Sequence, residues 1–147
     1  MTLPALTAIL LFICMITFVI VPAFEAAVMN ERETMIKELT ETAWSILKDF
    51  HNEELSGRMT QTEAQNLART AIRTLRYGEN GKDYFWVLDH HPRMIAHPYR
   101  RDLEGKDVTD FTDPNGKQLF LEFATLVKAQ ESGYVEYMWQ KPDDPSK

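Results

Sequence analysis

The sequence predicts an α+β fold in which a membrane-spanning helix runs into a long amphipathic helix, and that helix packs on an antiparallel sheet. Three observations carry this reading. The first 24 of 147 residues hold no charge, although the whole chain has 16 Lys+Arg and 22 Asp+Glu and a net charge of −6. Next comes an apolar stripe at steps of three and four residues, from Met29 to Phe50. Farther along, aromatic and β-branched runs flank a His-His-Pro turn, the pattern of a strand hairpin.

The leader comes first, as residues 1–24. Roughly 20 helical residues at about 1.5 Å each span the ~30 Å hydrocarbon core, and the apolar run Leu3 to Ala23 reaches that length. A cleaved secretory signal is the alternative. Such signals carry an apolar core of about 7–15 residues behind a basic segment, whereas this run is longer and no Lys or Arg precedes it. The first basic residues are Arg32 and Lys37, a count that by itself favours a cytoplasmic position for the charged part of the chain.

Residues 25–147 read as one domain of ordinary size. Met29, Ile36, Ala43 and Phe50 interleave with Arg32, Leu39 and Ile46, which predicts one helix to about Glu54. Continuous with the membrane helix, it would project on the order of 45 Å from the bilayer at about 1.5 Å per residue. Its stripe suits packing on a core or the seam of a parallel homodimer. Thr60 and Glu63 form a capping box for a second helix, which runs through Ala64, Leu67, Ile72 and Leu75 and ends with Gly78 as its C-cap. Arg69 and Arg73 meet the negative end of that helix favourably. Arg76, beside Tyr77 at the entry to the sheet, is placed to turn toward a cavity.

Asp83 to Asp89 predicts a strand, with Tyr84, Trp86 and Leu88 on one face and Phe85, Val87 and Asp89 on the other. His90 to Arg93 is the turn, and Met94 to His97 the second strand. Both faces are largely apolar, so the sheet is expected to be covered twice, by the long helix on one side and around a small ligand on the other. Pro98 to Thr112 is charged and irregular. Asp113-Pro114-Asn115-Gly116 has the order of a type I turn, Lys117 to Gln130 reads as a helix, and Tyr134 to Trp139 alternates as a strand before the polar run Gln140 to Lys147.

Composition and motifs exclude several functions. An acidic chain lacks the clustered basic surface that a nucleic acid requires. Cys14 is the lone cysteine and lies in the leader, so there is no disulfide scaffold and no cysteine zinc site. Asp89, His90, His91 and His97 are the best metal candidates, but adjacent histidines on a strand point to opposite faces, and no metal is assigned. No phosphate-binding glycine loop, G-x-S-x-G or H-E-x-x-H occurs, so no catalytic residue and no cofactor is assigned.

The order YFWVLD, a turn, MIAHP, a loop with EGKDVTD, then DPNGK, a helix and GYVEYMW followed by KP resembles the single-Cache extracytoplasmic sensor domains of bacterial chemoreceptors and sensor histidine kinases. The resemblance implies a long N-terminal helix on a PAS-like antiparallel sheet. It also implies anchorage in the bacterial inner membrane, a periplasmic or extracellular position against the weak count of basic residues, and binding of a small metabolite, often a short carboxylate. Family members continue beyond KP with two strands, a second membrane helix and a cytoplasmic module, so the chain is expected to be a sensor domain lacking its last strands.

A carboxylate pocket needs a few placed donors or cations within an apolar wall. Tyr84, Trp86, His97, Tyr134 and Tyr137 are the candidate wall and donors, and Arg76, Arg100, Arg101 and Lys117 the candidate cations. Core packing competes as the role of Trp86, a structural hydrogen bond as the role of His97, and plain solvation as the role of Arg100, Arg101 and Lys117. The competing function is a membrane-anchored interaction or dimerisation domain that senses no ligand.

Overall fold

The structure, a computed structural model, describes residues 3–139. The chain divides into two units, Met1–Thr42 and Ala43–Lys147. The first is helical throughout its described residues. Helix α1 (Leu3–Met15) passes through a π-helical turn (Ile16–Ile20) into α2 (Val21–Leu55). Pro22 has no N–H to offer the carbonyl of Phe18 four residues back. The wide turn, in which the Val21 N–H reaches the Ile16 carbonyl, lies where that bond is missing. Leu6, Leu10, Leu11, Phe12 and Phe18 all face outward, which suits a lipid solvent. Length and apolar composition qualify this helix to cross a membrane. Within the same unit, Met29 and Ile36 of the predicted stripe, and Met35 beside them, are exposed.

The second unit opens with the last turns of α2, where Ala43 is buried and Ile46, Leu47 and Phe50 are half-buried, as the stripe predicts. The capping box holds: the Thr60 hydroxyl accepts the Glu63 N–H, and the Glu63 carboxylate accepts the Thr60 N–H. Helix α3 (Gln61–Thr74) buries Ala64 and Ile72. It stops short of Gly78, because Leu75 turns extended and Arg76–Tyr77 leave as strand β1, antiparallel to β2 (Asp83–Tyr84). Gly78 serves the turn between those strands instead. It has φ 71°, and a Cβ there would stand 2.1 Å from Asp83 Oδ2, so glycine answers a close approach.

The predicted strand Asp83 to Asp89 is broken. Its second part, β3 (Val87–Leu88), pairs irregularly with β4 (Met94–Ala96), giving two small antiparallel sheets. The turn between β3 and β4 closes as expected, with the Asp89 N–H on the Arg93 carbonyl and the Arg93 N–H on the Asp89 carboxylate. Helix α4 (Leu119–Gln130) starts two residues later than Lys117, because Asp113 already holds the Lys117 backbone: its carboxylate accepts the Lys117 N–H and its N–H donates to the Lys117 carbonyl. The core lies between β4, the loop after it and α4, and consists of Met94, Leu103, Val108, Leu119 and Phe120. Trp86, Leu88, Phe111, Phe123 and Trp139 pack around it. Fully burying one such side chain is worth about 1.5–3 kcal/mol.

On the other face of the β3–β4 hairpin, Val87 and Ile95 meet Leu47 of α2 and Gln65, Ala68 and Arg69 of α3 around an open cleft of about 270 Å³. The helical cover is therefore present. Tyr134 to Trp139 forms no ladder and runs as a strap, tied by side chains described below. Lys141-Pro142 and the polar run from Gln140 to Lys147 lie outside the described residues. Helices segregated from small antiparallel sheets make the fold α+β.

Candidate ligand site

Over the face of the hairpin opposite the cleft, aromatic rings form a continuous chain. Tyr84 stands edge-on to His97 with centroids 5.2 Å apart and to Tyr99 at 4.9 Å. His97 meets Trp139 at 5.7 Å, and Trp139 meets Phe111 and Phe120 at 5.6 and 5.9 Å. Trp86 continues the chain onto Phe120 and Phe123, and Phe123 meets Tyr137. Side-chain alternation and the bend between β2 and β3 bring these residues together from distant parts of the sequence.

His97, just past β4, is only 1% exposed. Its Nδ1 accepts two backbone N–H groups, from Tyr99 at 3.2 Å and Arg100 at 2.9 Å, so the neutral ring carries its proton on Nε2. Burial, reinforced by the Arg100 charge, lowers its pKa to about 4. The hydroxyl of Tyr84 accepts the Trp139 Nε1–H at 2.7 Å and keeps its own hydrogen to give. Burial raises that hydroxyl to about 12 against the opposing pull of the Trp139 bond. Two neutral donors, Tyr84 O–H and His97 Nε2–H, thus stand side by side in an apolar surround at neutral pH.

Of the predicted cations, Arg76 approaches this pair. Its Nε donates to the Tyr99 hydroxyl at 3.1 Å, and its guanidinium carbon lies 5.0 Å from the Tyr99 ring centroid. Arg100 is turned away, its guanidinium forked onto Asp102 with both bonds at 2.9 Å, and only its backbone N–H serves His97. Arg101 pairs with Glu104. Lys117 Nζ donates to the Glu136 carbonyl of the strap and neighbours Glu122, so it meets the site through the strap alone. Trp86 packs against the core cluster, Tyr134 is 46% and Tyr137 39% exposed, and the Tyr137 ring lies against Phe123. Among the described residues no group of three potential metal ligands occurs, and His90 and His91 lie exposed in the hairpin turn.

A family model, single Cache domain 2, matches residues 28–147. This chain belongs to the single-Cache family. The chain is 35% identical over 106 residues to the methyl-accepting chemotaxis protein McpP of Pseudomonas putida KT2440, covering 72% of this chain and 19% of McpP. It thus spans about a fifth of that relative's length. Among solved structures, a periplasmic sensor domain of a chemotaxis protein superimposes with a TM-score of 0.74 at 40% identity, covering 79% of each chain. A Cache chemosensory domain described for carboxylic acid recognition gives 0.74 at 38% identity, over 80% of this chain and 78% of its own. A methyl-accepting chemotaxis protein of Vibrio parahaemolyticus, at 18% identity and 0.54, shares the fold over 78% of this chain and 76% of its own.

Four residues of this Cache domain escape sequence reasoning. Trp139 and Tyr99 join the rings. Asp113 accepts the Asn115 and Lys117 N–H groups on Oδ1 and the Met138 N–H on Oδ2, binding the strap to the turn before α4. Glu104 accepts the His97 N–H and is forked by Arg73 of α3, in place of the helix-end role predicted for Arg73. The usable signal is local for Asp113, whose D-P-N-G order marks an Asx turn. Arg73 and Glu104 lie 31 residues apart, and no spacing rule links them.

Proposed function

We propose that this chain is the sensing portion of a transmembrane chemoreceptor, anchored by its N-terminal helix over residues 1–24, with residues 25–147 on the extracytoplasmic side binding a short carboxylate. The observation that carries the reading is the pair of neutral donors, Tyr84 O–H and His97 Nε2–H, within a wall of aromatic rings. A carboxylate presents two acceptor oxygens and no donor, which complements such a pair. Hydrogen bonds to a charged acceptor are among the stronger ones, at about 1.5–3 kcal/mol each. Arg76, one residue removed through Tyr99, adds positive potential. The carboxylic acid recognition described for a similar Cache domain supports the same ligand class. The exposed Met29, Met35 and Ile36 favour a homodimer through the long helix.

Binding would bias the packing around His97, and so shift a population of domain states toward the output of the intact receptor. The test is isothermal titration of the 147-residue chain in detergent micelles with acetate, propionate, the matching amides and the matching amines. Saturable binding of the acids alone is expected. Binding of amides as well as acids, or of none of the three classes by folded protein, overturns the reading.

A further inference from the structure

We infer that Trp139 sets the longest acid the site accepts, an inference that rests on the carboxylate reading above. Among the described residues the indole is the one ring that touches both donor residues and the apolar wall together. Its Nε1–H is on the Tyr84 hydroxyl at 2.7 Å, its ring is 5.7 Å from His97, and it stands 5.6 and 5.9 Å from Phe111 and Phe120.

An acid whose carboxylate meets Tyr84 and His97 must send its alkyl tail away from those polar groups into apolar space. On the apolar side of the pair stands the Trp139 ring, backed by Phe111 and Phe120. The indole is also held in place from behind. The N–H of Met138, its chain neighbour, donates to Asp113 Oδ2 at 3.0 Å, and the Glu136 carbonyl accepts from Lys117 Nζ. A ring pinned at its polar edge and at its backbone is a firm stop, so tail length is limited by a fixed wall.

The test measures affinity of the 147-residue chain in micelles for the straight-chain acids from acetate to hexanoate, for the wild type, W139A and W139F. The wild type is expected to prefer the short members and to lose affinity sharply with length. In W139A each added methylene instead gains about fourfold up to the new limit, so the preferred acid moves by two or more carbons. W139F shifts the optimum less. Circular dichroism confirms folding, and if W139A does not fold, W139F and W139L carry the comparison. Folded variants that keep the wild-type order of chain lengths overturn the inference while leaving the carboxylate reading standing. Failure of wild type and variants alike to bind any acid overturns both. Binding of long acids by the variants, with none by the wild type, supports the stop and removes only the preference for short acids.

Discussion

Trp139 Nε1–H and the Tyr84 hydroxyl, 55 residues apart in the chain, are joined at 2.7 Å. The bond fixes which way the phenol presents its own hydrogen, because a hydroxyl that accepts along one direction donates along another. Tyr84→Phe removes both roles. Its expected effect is a 10- to 100-fold loss of acetate or propionate affinity, about the worth of one bond to a charged acceptor, with an unchanged circular dichroism spectrum. Affinity within twofold of wild type would place Tyr84 outside the site.

For His97, structure and binding can be separated by the choice of substitution. His97→Ala removes the acceptor for the Tyr99 and Arg100 N–H groups and leaves a void at a residue 1% exposed, so a stability loss of about 2–4 kcal/mol is expected in urea unfolding. His97→Asn keeps an acceptor near the position of Nδ1 but has nothing to replace Nε2–H. It should retain most of the stability and lose the ligand.

Acidification should destabilise the domain in two stages. The folded pKa of His97 is lowered to about 4 from 6.5, so between those values the unfolded chain binds more protons than the folded one. The contribution is full above pH 6.5 and is lost as pH falls toward 4. Glu104 and Asp113 also sit below their ordinary carboxylate values. Burial opposes the shift at Glu104 and is outweighed by bonds from the His97 N–H and Arg73, while the Met138 and Lys117 N–H groups produce it at Asp113. Their share is lost only below pH 4.5 and 3.8 respectively. Thermal melts of H97N should therefore lack the decline between pH 6.5 and 4 and keep the one below it.

Arg73 and Glu104 form the ion pair that ties α3 to the loop after β4, and their side chains are 20% and 17% exposed. Glu104→Ala leaves a half-buried guanidinium and the His97 N–H without their acceptor, and a cost of about 2–4 kcal/mol is expected. Arg73→Met should cost less, since Arg101 still faces Glu104. A double-mutant cycle reading about 1–3 kcal/mol of coupling would establish the link. Simple additivity would deny it.

The strap depends on Asp113. Asp113→Ala removes the acceptor of the Met138 N–H and those of the Asn115 and Lys117 N–H groups together. Limited proteolysis should then cut between Glu131 and Trp139 faster than in the wild type, with α4 intact. Equal cutting rates would show that the Lys117–Glu136 bond and the contacts of Trp139 hold the strap without Asp113.

Legibility from the sequence tracks the range of the forces involved. The Thr60–Glu63 box, the Ala43, Ile46 and Phe50 side of α2 and the hairpin around His90 and His91 are readable because each is set within a few residues. Tyr84 and His97 are singled out by the sequence, although their partners Trp139 and Glu104 are not. Alternation alone misreads Tyr134 to Trp139. A strand exists only where another chain segment offers its N–H and C=O groups, and there the strap is bonded by the side chains of Asp113 and Lys117. Gly78 differs from expectation for a related reason: pairing of Arg76 with Tyr84 draws the chain out of α3 before a cap is reached.

The π-helical turn at Ile16–Ile20 has a bearing on the rod itself. Each residue of an α-helix advances the side-chain direction by about 100°, and a turn that takes in one residue more than usual resets the angular phase by that amount. The face defined by Leu6 and Leu10 therefore cannot be extrapolated along the chain to Met29 and Ile36. In the proposed receptor the first band would face lipid and the second a partner helix, each keyed to its own surroundings. Replacing Pro22 by alanine, which restores the missing donor, would rotate one band against the other without altering a residue in either.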